Sequence, residues 1–230
     1  MTKTYRWARR AVWGTLAVVM TIGCNPLATI GFLTYKDPVQ PARCPFVPKE
    51  GAKKDDEIKV ALFVSQSTGQ SFDFAGAENT IASEMARKIP ELAKENKQNI
   101  EVIPSSKVNQ FKFKNPTWKD MHASAWGKAL GVDYVLEIHL DKLSLYQPGS
   151  RNQLYEGRAE VSVFMYDVAE GVAEPKSYTH PFSFPKTGFR DATSIPLGTF
   201  KKDFLERLAL ELAEQHIDHK TRSGIAEGRY

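Results

Sequence analysis

From Ile58 onward the order of apolar and polar residues predicts alternating strands and helices. Ile58 to Val64 (IKVALFV) is a short, mostly apolar run, the pattern of a buried strand. Ser65 to Asp73 is polar and contains Gly69, which predicts a loop that caps a following helix. In that helix Ala77, Ile81, Met85, Ile89 and Leu92 recur at spacings of three and four and make one apolar face. Pro90 lacks an N–H and is expected to kink the helix or end it early. Ile100 to Ile103 predicts a second strand. A second helix is expected after Pro116, with Thr117 as N-cap, a buried face of Trp118, Met121, Ala125 and Ala129, and Gly131 at its end.

The clearest pattern follows. Tyr134, Leu136, Ile138 and Leu140 alternate with Val135, Glu137, His139 and Asp141, a half-buried strand that continues towards Leu143 and Leu145. Pro148-Gly149-Ser150 marks a turn. The return strand sets Ala159, Val161, Val163 and Met165 against Arg158, Glu160, Ser162, Phe164 and Tyr166, so the pair predicts a long antiparallel hairpin. A shorter strand is expected around Tyr178 to Phe184. Phe200, Phe204, Leu208 and Leu212, with Leu205 and Ala209 beside them, predict a final helix. The order is β-α-β-α-β-β-β-α. It implies an α+β fold with one mixed sheet, parallel at its start and antiparallel later.

Upstream of Ile58 the pattern is different in kind. Residues 1–10 are basic, residues 11–23 are uncharged and mostly apolar, and Gly23-Cys24 follows. A positive start, a short apolar stretch and a small residue before the cut form a secretory signal. Four cations stay on the cytoplasmic side and the downstream chain is delivered across the membrane. The alternative is an uncleaved anchor. Apolar character resumes after Asn25-Pro26, so residues 11–35 are long enough to span a bilayer, although Pro26 interrupts a continuous helix. Pro38, Pro41, Pro45 and Pro48, then the charged run Lys49 to Glu57, predict an extended tether. The expected organisation is a signal peptide at 1–23, a lipidated start and tether at 24–57, a globular domain at 58–219 and a frayed tail at 220–230.

Charge placement narrows function. Of 31 basic and 27 acidic residues, Lys3, Arg6, Arg9 and Arg10 lie before Cys24 and no acid does, which leaves 27 of each afterwards. A chain beginning at Cys24 is formally neutral, which argues against a nucleic-acid binder, since phosphate neutralisation needs a clustered basic surface. Cys24 and Cys44 are the two cysteines. Lipidation of Cys24 leaves Cys44 unpaired; a disulfide between them is the alternative in an oxidising compartment.

Thr21-Ile22-Gly23-Cys24 resembles a lipobox, the site where bacterial lipoprotein signal peptidase cuts before a diacylated cysteine; Thr21 departs from its usual leucine. The resemblance implies lipid attachment at Cys24 through acyl chains such as palmitate. The folded part resembles the small sheet-and-helix domain of several bacterial envelope lipoproteins, of the type seen in the curli secretion subunit CsgG, the penicillin-binding-protein activator LpoB and the N-terminal domain of TolB. The residues that carry it are IKVALFV, ENTIASEMARKI and the helix-strand junction AWGKALGVDYVLEIHL; SLYQPGSRNQLYEGRAEVSVFMYDV resembles a hairpin of uncharacterised bacterial lipoproteins. The resemblance covers roughly residues 58–170. It implies a non-enzymatic binding or assembly module on the periplasmic side of a membrane, with an envelope protein or a second copy as partner. It does not extend to pore formation, because no hairpin has an adequate apolar outer face.

The remaining chemistry is sparse. The loop after the first strand lacks a Walker lysine and the three-glycine dinucleotide fingerprint, so no cofactor is expected. Ser65 does not sit in a G-x-S-x-G elbow, which argues against a nucleophile. His216 and His219 have an i, i+3 spacing that suits a metal, but no third ligand is evident, and a polar exposed helix end accounts for both. Glu137, His139 and Asp141 share a strand face, the arrangement of an acid-base cluster and equally of a solvated sheet face. A hydrolase of cell-wall or extracellular polymer using Glu137, His139 or Asp141 is therefore the alternative to a binding module; a structural spacer on an uncleaved anchor is the other. Core packing accounts for Trp118 and Trp126. Lys107, Lys112 and Lys114 with Phe111 and Phe113 form a locally basic, aromatic stretch suited to polymer or lipid headgroups.

Overall fold

The computed structural model describes residues 38–48, 56–68 and 71–220. The signal-like start, Cys24, part of the charged run, Gly69 and the tail from 221 lie outside the described residues. Backbone contacts divide the chain into two units, 1–38 with 220–230, and 39–219. The second unit carries the fold.

The strands of its main sheet are β1 (Ile58–Gln66), β2 (Ile100–Val102), β3 (Tyr134–Tyr146), β4 (Leu154–Asp167), β5 (Lys176–Phe184) and β6 (Arg190–Asp191). Its α-helices are α1 (Ala77–Glu95), α2 (Ser105–Lys114), α3 (Ala123–Leu130) and α4 (Leu197–Glu214). The fold is α+β. One six-stranded sheet runs β2-β1-β3-β4-β5, with β6 paired to β4. β1 is parallel to both β2 and β3, and the remaining pairs are antiparallel. A bulge between Leu140 and Lys142 shifts the buried positions of β3 from even to odd numbers, so Leu143 and Leu145 continue the inner face.

Side chains alternate across the sheet and build two separate cores. Val60, Leu62 and Val64 of β1, Leu136, Ile138 and Leu140 of β3, and Val161, Val163 and Met165 of β4 face α1 and α4. Ala61, Phe63 and Val135 face the other way, against Val108 and Phe111 of α2 and Ala123 and Trp126 of α3. On that side the rings of Phe63, Trp118 and Trp126 lie within 5.5 Å of one another, centroid to centroid. α3 sits close on the sheet because residue 127 is glycine: a Cβ there would meet Val168 Cγ2 at 2.2 Å.

Several expectations are corrected. α1 continues through Pro90 to Glu95, five residues beyond the proline. Burial of Ile89, Leu92 and Ala93 on either side of the proline holds the last turns against the core, and this outweighs the missing backbone bond. Residues 105–114, apparent in the sequence only as a basic-aromatic stretch, form a helix that follows Pro104. The helix expected from Thr117 is instead a 3-10 turn at Trp118–Asp120, a break, and then α3. Thr117 makes no side-chain cap bond; His122 is the N-cap and accepts from the Ser124 N–H at 3.2 Å. The buried face is Ala123, Ser124, Trp126 and Gly127, while Met121 and Ala129 are exposed. Trp126 sets this rotation, because its indole N–H donates to the Trp118 carbonyl at 2.8 Å. Gly131 ends α3 at φ +66°, where its lack of a Cβ avoids strain.

The segment expected as an extended spacer joins the core. Cys44 and Phe46 are buried in the cluster beneath α4. Cys44 N–H donates to the Gln215 carbonyl at 2.9 Å, and the Tyr134 hydroxyl donates to the Val47 carbonyl at 2.8 Å. His216, expected on an exposed helix end, lies just past α4 and is 1% exposed. Its ring stacks on Phe46, centroids 5.2 Å apart. His219 is partly buried and lies outside the helix, 4.0 Å from the Glu214 carboxylate.

Candidate functional site

The second face of the sheet is covered along only part of its length. Ala61, Phe63 and Val135 lie beneath α2 and α3. On the same face Tyr166 of β4 lies opposite Val135 and Glu137 lies beside Phe63, and Phe164, Ser65, His139 and Ser162 continue towards the open end, all partly exposed. Tyr166 still touches the covered part, its ring edge-on to that of His122 at the start of α3 with centroids 5.5 Å apart, and beyond it the side chains are mostly polar.

Register brings these residues together. Ser65 is paired with His139 across the parallel β1–β3 ladder, and His139 with Ser162 across β3–β4. Ser65 Oγ lies 2.8 Å from His139 Nδ1, and His139 Nε2 lies 3.1 Å from Glu137 Oε1. A carboxylate only accepts, so Nε2 donates to Glu137; in the neutral ring Nδ1 then accepts from the Ser65 hydroxyl. Tyr166 O–H donates to the other Glu137 oxygen at 3.3 Å. Burial, with the Glu137 charge second, pushes the Tyr166 phenol up to about 12, which keeps it a neutral donor. Ser162 O–H donates to Asp141 Oδ2 at 2.7 Å, so Asp141, expected in one cluster with Glu137 and His139, belongs to the adjoining pair. The Phe164 ring meets His139 edge-on, centroids 5.7 Å apart.

The covered end forms a wall. Lys112 of α2 holds its ammonium 4.9 Å from the Trp118 centroid and 5.1 Å from that of Phe63. Burial, and then the Lys119 charge, lowers its pKa from the ordinary lysine value.

Chemically this is a pre-oriented row of donors and acceptors on rigid strands, with one polarised hydroxyl at Ser65. Sequence reasoning identified Glu137 and His139 by their strand alternation. It placed Ser65 in a loop and set it aside for lack of a G-x-S-x-G elbow, whereas Ser65 lies within β1 and its contact with His139 rests on the parallel pairing of strands seventy residues apart. It also passed over Tyr166 and Ser162. The signal for those two was the same outward-facing alternation in the returning strand. Among the described residues no group of three metal-ligating side chains is assembled, and His216 and His219 do not share a site. No described helix is long and apolar enough to cross a membrane.

The class so defined is a sheet-and-helix module whose polar side chains are gathered on the uncovered end of one sheet face. No family model and no curated protein matches the chain. Solved structures similar to it include the PelC dodecamer of Paraburkholderia phytofirmans, at 13% identity over 77% of this chain and 98% of that one, TM-score 0.40. A lipoprotein of Neisseria meningitidis is similar at 12% identity over 66% of this chain and 98% of that one, TM-score 0.38. A DUF330 protein of Xanthomonas campestris is similar at 12% identity over 75% and 89%, TM-score 0.41.

Proposed function

We propose that this protein is a non-enzymatic envelope lipoprotein, anchored through acyl groups on Cys24, whose folded unit is a binding or assembly module for another envelope protein. The observation that carries the binding role is the partly open sheet face: Ser65, His139, Glu137 and Tyr166 are oriented by one another, Ser162 is oriented by Asp141, and all remain partly exposed. Polar groups pre-oriented on strands lose little freedom when a partner meets them. The basic start, apolar run and Gly23-Cys24 support the anchor. The likeness to the CsgG, LpoB and TolB type of domain, and the periplasmic side, belong to the same proposal.

Two measurements test it. Intact mass of the protein from the membrane fraction should show a chain beginning at Cys24 with added acyl mass, absent in Cys24→Ser; a full-length unmodified mass overturns the lipid anchor. A photo-crosslinker placed at Ser162 should capture one stoichiometric envelope protein or a second copy in cells. Adducts only from positions on other faces overturn the assignment of this one.

A hydrolase is the second reading, favoured by the Ser65–His139–Glu137 contact. In it Ser65 is the nucleophile, His139 the base and Glu137 the group that orients the ring. A fluorophosphonate probe should then label Ser65, and His139→Ala should abolish labelling. Absence of labelling at Ser65 removes this reading.

A further inference from the structure

α2 presents an unusual surface. Over residues 104–122 the chain carries Lys107, Lys112, Lys114 and Lys119 against one acid, Asp120, although the chain from Cys24 onward is neutral. Val108 and Phe111 are the buried residues of the helix. At 100° per residue Phe113 falls on the opposite, outermost side, with Lys112 and Lys114 flanking it. Phe113 is 86% exposed. A single exposed aromatic is ordinary on a soluble surface; what distinguishes Phe113 is its place among lysines on one helix, the combination of apolar and basic groups that suits the boundary of a bilayer.

We infer that α2 is a second, reversible membrane contact, with Phe113 entering the headgroup region of an anionic bilayer and Lys107, Lys114 and Lys119 pairing with its phosphates. The inference rests on the anchored reading above. From Cys24 to Pro38 there are fifteen residues, a reach of at most about 50 Å when extended. A folded unit of this size is about 40 Å across. A chain of that length is not too short to bring the surface of α2 to a membrane, and the surface chemistry of α2 is what favours the contact. A dissolved polyanion would satisfy the lysines but offers no apolar phase for Phe113, so the bilayer is the better match. Each exposed lysine near an anionic surface raises the bound population about fivefold, and the anchor supplies the local concentration that makes so small a patch sufficient.

The test uses the full chain reconstituted in phosphatidylcholine vesicles with and without phosphatidylglycerol, read by amide hydrogen exchange. Peptides covering residues 105–114 should exchange several-fold more slowly when phosphatidylglycerol is present. High salt should remove that protection, as should Phe113→Ser or the triple change Lys107→Gln, Lys114→Gln and Lys119→Gln. Unchanged exchange in β3 and β4 shows that the variants remain folded. Equal exchange at 105–114 in the two vesicle types overturns the inference. So does protection by soluble dextran sulfate that Phe113→Ser leaves intact, since that identifies a polyanion site. Acylation is read independently by intact mass, so an unmodified Cys24 and an unprotected α2 are separate failures.

Discussion

Acidification should weaken this fold through one identifiable side chain. His216 is buried, and both ring nitrogens are engaged: Nδ1 lies 2.9 Å from the Cys44 carbonyl and Nε2 lies 3.0 Å from the Tyr178 hydroxyl. A carbonyl only accepts, so Nδ1 carries the proton and Nε2 accepts from Tyr178. The neutral ring fits this site and the imidazolium does not. A second proton on Nε2 would face the hydroxyl hydrogen, and Arg43 lies over the Tyr178 ring, its guanidinium carbon 4.9 Å from the centroid. Burial lowers the His216 pKa from 6.5 to about 4, with the Cys44 carbonyl opposing the shift. Between those values the unfolded chain binds a proton that the folded chain refuses, so stability falls as pH drops below about 6.5 and levels off near 4. The gap corresponds to roughly 3 kcal/mol, a large part of the 5–15 kcal/mol typical of a domain.

The comparison that isolates it is urea unfolding of wild type and His216→Gln across this pH range, followed by tryptophan fluorescence. At neutral pH the variant should be less stable by about 1–3 kcal/mol, because it loses the stack on Phe46 and well-aligned hydrogen bonds. Its deficit should shrink, and then reverse or vanish, as pH approaches 4, because glutamine does not titrate. Carboxylates elsewhere affect both proteins alike and cancel. A deficit that stays constant across the range would refute the reasoning.

Phe204 is fully buried, packed on Phe74 and Phe182, and fits because residue 157 is glycine: a Cβ there would meet Phe204 Cδ2 at 2.2 Å. Phe204→Ala should cost about 3–5 kcal/mol and Gly157→Ala about 1–3 kcal/mol. The double variant should cost less than the sum in a denaturation cycle, because the added methyl then occupies vacated space. Pro90→Ala should raise stability by about 1 kcal/mol in the same assay, since alanine restores the helical N–H that proline lacks and the backbone is already helical; a loss would show that the pyrrolidine ring itself is needed for packing.

Much of this architecture was legible as periodicity. The β3–β4 hairpin, β1, α1 and α4 each have one apolar face repeated over four or more positions, long enough for sequence spacing to identify both type and orientation. Where the apolar signal is short it failed. α2 has only Val108 and Phe111 buried, and the boundary of α3 is set by a hydrogen bond between Trp118 and Trp126 that no periodicity encodes. Pro90 misled for the opposite reason: a local rule was applied where burial on both sides of the residue prevailed. Glu137 and His139 were visible as an outward-facing pair in one strand.

By itself the sequence determined which residues of the long strands and of α1 and α4 face inward, that the chain forms one α+β sheet layer with helices on it, and that the basic, apolar, Gly23-Cys24 start differs in kind from the rest. These are local properties, because alternation and helical repeat depend on neighbours a few residues apart. Tertiary structure alone decided which strands lie side by side, and so that Ser65 reaches His139. It also decided that Cys44 and Phe46 close over His216, and that one end of a sheet face is left without a helix. Those facts depend on contacts between residues some seventy to one hundred and seventy positions apart, and the free energy of such contacts is not encoded in any short window of the chain.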